Sequence, residues 1–217
     1  MLVDLLGHYD TNDPPCKVVL ESASLMPLRL TAQMKQRMTR RTLEMVQRAL
    51  GYFPELKDAS ITIGYTRKHL GSATVIYRKH ELYRLIIRLR VRKVTYHTIG
   101  HELTHLVQGL AYGHRGARSA DPSHIPVGET QCDIWTLARD PIFLDDPPTY
   151  IKMPRLMREH WPDYAESVRE LCIAAITKRH TERQYIRWLE QEICQLAKAP
   201  KRQKSISSAQ LCLPFVI

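Results

Sequence analysis

Two histidines four residues apart, His101 and His105, enclose a glutamate in the segment His101-Glu-Leu-Thr-His105. On a helix, residues i and i+4 sit one above the other on one face, so both imidazoles can reach a single metal ion. Glu102, beside the first histidine, then projects to the side of the ion, where water would stand. There it can take a proton from that water and later pass it to a leaving amine. The chemistry needs these residue types, this spacing and a helix together. Val94, Ile99, Leu103, Leu106, Val107 and Leu110 give residues 94–110 the apolar pattern of a helix. The bland alternative, two surface histidines beside a glutamate, would set polar groups in the middle of an apolar stretch.

A catalytic zinc site takes a third protein ligand. A three-histidine pattern would need glycine at 108 and histidine at 111, and the chain has Gln108 and Ala111. Two candidates remain. Glu129 and Asp133, in Gly128-Glu-Thr-Gln-Cys-Asp133, lie four apart at the head of an expected helix from about Val127 to Ala138. One carboxylate can bind the metal while the other holds a ligand histidine in the right tautomer. The plainer use of Glu129 is to complement a helix N-terminus. His114, in Tyr112-Gly-His-Arg-Gly116, follows the motif helix in a loop and could swing back to the metal. His124 is a weaker version of the same idea.

The elements that must position these residues follow from periodicity. From Thr31, which can cap a helix, apolar Met34, Met38, Met45, Val46, Ala49 and Leu50 share one side, and Gly51 stands where a left-handed stop is expected. Residues 59–65, 71–77 and 81–90 then read as three strands, the last two joined by a charged turn at 78–80. The motif helix and the Glu129 helix come next. Prolines 141, 147, 148 and 154 argue against a long helix across 140–155. Two further helices follow, with capping boxes expected at Asp163/Glu166 and at Thr181/Gln184. Residues 1–30 carry no clear period.

The pair of motifs, His101-Glu-Leu-Thr-His105 and Glu129-x-x-x-Asp133, resembles the gluzincin clan of zinc metallopeptidases, to which thermolysin belongs. The short chain is most similar to the small stand-alone forms called minigluzincins, whose element order matches residues 31–139. The resemblance implies an α+β, zincin-like fold: a backing helix, a small mixed three-stranded sheet, an active-site helix and a glutamate helix, followed by a helical C-terminal part. It implies one Zn2+ held by His101, His105 and Glu129, with Glu102 as general base and Asp133 orienting a ligand histidine. The strand near residues 73–77 would be the sheet edge that pairs with an extended peptide. Thr98, one turn before His101, reads as a packing residue. For the oxyanion-stabilising group of such enzymes, His124, Tyr112, Tyr150 and His180 are the candidates.

On this reading residues 1–155 form the metallopeptidase domain, 156–200 a helical extension packing on it, and 201–217 a basic linker with an apolar tail that could occupy the cleft and hold the enzyme latent. With 217 residues and 44% hydrophobic content the chain can build an ordinary core, so a metal is not needed merely to fold. The five cysteines are scattered, without a Cys-x-x-Cys pair, as in a cytoplasmic protein with reduced thiols. No signal-peptide pattern and no membrane-length apolar run is expected. The net charge of +10 favours acidic partners. Besides a peptide or protein substrate, nucleic acid is therefore a candidate partner. It is the partner expected of a DNA-associated protease resembling the SprT-like group, with His114 as third ligand. A binding module with a non-catalytic metal site is the remaining alternative, suggested by the basic stretches 35–41 and 198–204. A retained Glu102 argues against it.

Overall fold

The computed structural model describes residues 28–79, 81–112 and 124–198. Its architecture is mixed, a four-stranded sheet with helices. The strands are β1 (Leu28–Leu30), β2 (Ile61–Tyr65), β3 (Gly71–Arg78) and β4 (Glu81–Leu89), in the order β1-β2-β4-β3. β2 runs parallel to both β1 and β4, and β3 is antiparallel to β4. The expected three-stranded sheet is thus corrected to four. Three residues, Leu-Arg-Leu, are too few to display an alternation, and β1 exists because it pairs with β2. The period-two pattern buries Ile61, Ile63, Leu85, Ile87 and Leu89 on one face. Fully burying each such side chain is worth about 1.5–3 kcal/mol relative to exposure.

The expected helix from Thr31 is in fact two, α1 (Ala32–Lys35) and α2 (Arg40–Leu50). Thr31 does cap the first, accepting from the Met34 amide at 3.3 Å. Thr39 breaks the run with extended backbone and caps the second, accepting from the Thr42 amide at 3.1 Å. The basic stretch 35–41 therefore crosses a break and does not lie on one helix face. Gly51 ends α2 in right-handed geometry, φ −57°, so no left-handed stop forms.

The motif helix α3 (Tyr96–Tyr112) is buried over most of its length between the sheet and α4 (Glu129–Arg139). Its start is fully capped. Asp145 accepts from the Tyr96 and His97 amides at 2.7 and 2.9 Å, and Thr95 takes Thr98 through its hydroxyl and Ile99 through its carbonyl. Ile99, Leu103 and Leu106 enter a core shared with α2 and the sheet. A second core joins Ile134 and Leu137 of α4 to Met157 of α5 (Arg155–Glu159), Val168 and Cys172 of α6 (Trp161–Lys178), and Leu189 and Ile193 of α7 (Tyr185–Lys198). The C-terminal helices thus build on the same α4 that carries Glu129 and Asp133.

Neither expected capping box forms. α6 begins three residues early, at Trp161 with Pro162 in its first turn, and Thr181 donates to the Lys178 carbonyl instead. Between Pro141 and Pro154 the chain makes only a short 3-10 turn, as the prolines dictate. Among the described residues no helix is long and apolar enough to cross a membrane. The tail 201–217 and the basic stretch 198–204, apart from Lys198, lie outside the described residues.

Candidate metal centre

The i, i+4 rule stacks His101 and His105 on one face of α3, ring centroids 4.9 Å apart. Their Nε2 atoms converge on a carboxylate oxygen of Glu129: 3.0 Å from His101 and 3.1 Å from His105. Each outer nitrogen faces an acceptor. His101 Nδ1 lies 2.7 Å from Asp133 Oδ1, and His105 Nδ1 lies 3.1 Å from the Gln108 side-chain oxygen. Those partners assign the ring protons to Nδ1, leaving the Nε2 lone pairs turned inward in the neutral rings. Two imidazole nitrogens and a carboxylate oxygen then meet at one point, where a ring proton can join them or a bound cation can take its place. That donor set, two imidazoles and a carboxylate, fits a divalent metal of the zinc kind.

Asp133 is completely buried. Its Oδ1 also lies 3.3 Å from His97 Nε2, and its Oδ2 accepts from the Tyr150 and Ile151 amides at 2.6 and 3.2 Å. Burial pushes this carboxyl up, but the bonds to His101 and His97 outweigh it and hold it well below the usual range. For His101 burial opposes the charged form, and Asp133, Glu102 and Glu129 reverse that, so its proton affinity is raised. The same field favours a metal cation. Glu129 is held below its ordinary value; the hydrogen bonds and charges of both histidines overcome its partial burial.

Gly128 positions Glu129. Its φ of 131° lies in the region that favours glycine, and the turn lets α4 begin at Glu129 with its side chain toward α3. At its other end α4 is tied down by Arg139, which donates to the Tyr52 carbonyl and to both oxygens of Glu55. Between the helices the Thr104 and Thr136 hydroxyls meet at 3.0 Å. This packing sets Asp133 against His101.

Glu102 lies on the sheet side of the histidines, only 7% exposed. Burial raises its carboxyl to about 7; His101 lowers it in part and Glu129 raises it further. Gly71, the first residue of β3, is what leaves room for it. A Cβ there would stand 2.5 Å from Glu102 Oε1 and 2.6 Å from its Cγ, closer than real Cβ contacts come.

These groups open on a cleft of about 820 Å³ whose other wall is β3, from Gly71 to Val75 with Tyr77. β3 is one edge strand of the sheet and β1 the other. β3 is docked on α3 by the Tyr77 hydroxyl, which donates to the Gly109 carbonyl at 2.8 Å. Tyr112 and Tyr150 line the cleft, whereas His124 and His180 do not. Thr98 reaches the cleft too, its hydroxyl 3.0 Å from that of Thr95.

Among the described residues two other groupings of buried or half-buried His, Cys and Asp could also hold a metal: His101, His105 and Cys132, or His97, His101 and Asp133. Both are less suited. Cys132 lies 3.2 Å from Nδ1 of His105, the outer nitrogen, and donates to Gln108; burial pushes its thiol far up, so it stays protonated. Asp133 already accepts four bonds. His114 lies outside the described residues.

Sequence reasoning assigned no site role to Gln108 and His97. Gln108, whose amide nitrogen donates to the Pro126 carbonyl at 2.5 Å, presents its oxygen to His105. His97 stands one turn before His101, so a histidine at every fourth residue from 97 to 105 was the available signal. Tyr150, expected only as an oxyanion candidate, stacks on His101 at 5.4 Å and 24°.

The sequence matches no known protein-family model, and neither a characterised protein nor a solved structure shows a match to it.

Proposed function

We propose that this chain is a zinc-dependent peptidase of the gluzincin type, with a zincin-like fold. One observation carries the reading: His101 Nε2, His105 Nε2 and Glu129 Oε2 converge at the floor of a cleft, beside the buried carboxylate of Glu102. His101, His105 and Glu129 would hold the ion, and when bound it would act as a Lewis acid on a carbonyl oxygen and on water. Asp133 and Gln108 fix the ligand tautomers through the outer nitrogens.

Glu102, its proton affinity raised to about 7 by burial, is poised to exchange a proton near neutral pH. It takes one from water as the oxygen adds to the peptide carbonyl carbon. It returns that proton to the amide nitrogen as the C–N bond breaks, leaving a carboxylic acid and an amine, and the second proton of the water then passes from the acid to the amine to give carboxylate and ammonium. The main chain of β3 offers hydrogen bonds to an extended substrate, which gives affinity with little side-chain selectivity.

The function is tested by incubating the zinc-loaded chain with an unfolded protein and sequencing new peptide ends by mass spectrometry. The expected result is cleavage that a chelator abolishes and added zinc restores. A substrate left intact by the zinc-loaded chain would remove the reading.

Gly71 supplies a second expected outcome. In Gly71→Ala the new methyl group pushes the Glu102 carboxylate aside. The crowded atoms run from Cγ to Oε1 of Glu102 and include no backbone, so the side chain swings as a whole while the main chain keeps its place. Turnover falls about ten- to a hundredfold, the scale of misplacing a catalytic group by about 1 Å. Zinc content and melting temperature stay as in the parent chain, and a drop in either would assign Gly71 a structural role.

A further inference from the structure

Beyond Tyr150 the molecule has a second hollow, of about 660 Å³, between the first turn of α4, the segment at 150–152 and the first turn of α7. Tyr150 is a wall of both cavities. Its ring stacks on His101, its amide is spent on Asp133, and its carbonyl faces the Thr130 hydroxyl at 3.5 Å. Thr130, next to Glu129, also lines the hollow. A chain leaving the metal centre over Tyr150 therefore enters this hollow.

The hollow is cationic. Lys152 and Arg187 line it, and Glu190 is the one carboxylate among its lining residues, 3.9 Å from the Lys152 ammonium. The start of α7 adds partial positive charge. α7 is held in place from beneath, where the Tyr185 hydroxyl donates to Gln131 of α4 at 2.5 Å. An unmodified peptide has one kind of group that answers such a surface.

We propose that this hollow is a substrate subsite for a carboxylate, which would make the peptidase selective at one position while β3 reads only main chain. The inference rests on the peptidase reading for its substrate class. The carboxylate can come from an acidic side chain or from a free C-terminus.

Binding, measured without turnover, separates these cases. Dye-labelled peptides are titrated by anisotropy against the zinc-loaded Glu102→Gln chain. Asp or Glu is compared with Asn or Gln at each position, with the C-terminus free or amidated. One position, or the free terminus, should bind about three- to tenfold tighter in its acidic form, less so at high salt. Lys152→Glu with Arg187→Glu should abolish or invert that ratio. Glu190→Gln should enlarge it, a gain that misfolding cannot imitate. Equal affinity of acidic and amide peptides at every position, or a preference indifferent to all three substitutions, would overturn the subsite. A carboxylate preference in binding, with no cleavage of the same peptides by the parent chain, would uphold the subsite and sink the peptidase.

Discussion

Replacing Glu102 by glutamine leaves the chain folded and zinc-loaded and lowers peptide hydrolysis by about a thousandfold. Glutamine matches glutamate in shape but cannot accept the proton of water, and losing a positioned general base costs roughly 10²–10⁴ in rate. Stability should not fall. Burial disfavours the charged carboxylate, raising it to about 7, so above that pH the neutral amide removes an unfavourable charge. The melting temperature at pH 8 is then equal to or above that of the parent chain. Rates on one peptide, zinc content by atomic emission and a thermal scan check the three statements together. Full turnover in the variant would strip Glu102 of its role.

Glu129→Ala carries the second large effect, this time on the metal. Two histidines on one helix remain, but the site loses one of three donors and the only one that is charged. Zinc affinity should fall by at least about a hundredfold, more than the roughly 10- to 100-fold expected of an outer partner such as Asp133. Cys132→Ser, by contrast, should change affinity little, since the thiol faces the outer nitrogen of His105. His114→Ala gives the discriminating comparison. Zinc retained there and lost in Glu129→Ala supports the gluzincin arrangement. The reverse pattern would transfer the third position to His114 and favour a protease resembling the SprT-like group.

The parts of this site that were legible in the sequence are those governed by one helix at a time. That His101 aligns with His105, and Glu129 with Asp133, needs only the 3.6-residue period. Their meeting depends on how α3 and α4 pack, through contacts such as Thr104 with Thr136 that no local pattern announces. Gln108 was read only as a residue that excludes a three-histidine site. Its bond to His105 at i+3 becomes visible once Pro126 and Gly128 hold its amide group. Gly71 is 31 positions from Glu102, and nothing local says that it must lack a side chain.

The fold departs from expectation for similar reasons. The apolar run through Met34, Met45 and Val46 continues across the break at Thr39 because α1 and α2 bury the same core. Thr39, an N-cap residue type inside that run, is the local feature that ends the first helix and starts the second. At α6 the capping pattern Asp163/Glu166 lost to Pro162, which suits the first turn.

The most direct test is anomalous diffraction at the zinc edge from crystals of the zinc-loaded chain. The account predicts one peak, about 2.0–2.2 Å from His101 Nε2, His105 Nε2 and a carboxylate oxygen of Glu129. A peak bonded to Cys132 Sγ or to Asp133, or one held by both histidines with Glu129 turned away, would contradict it.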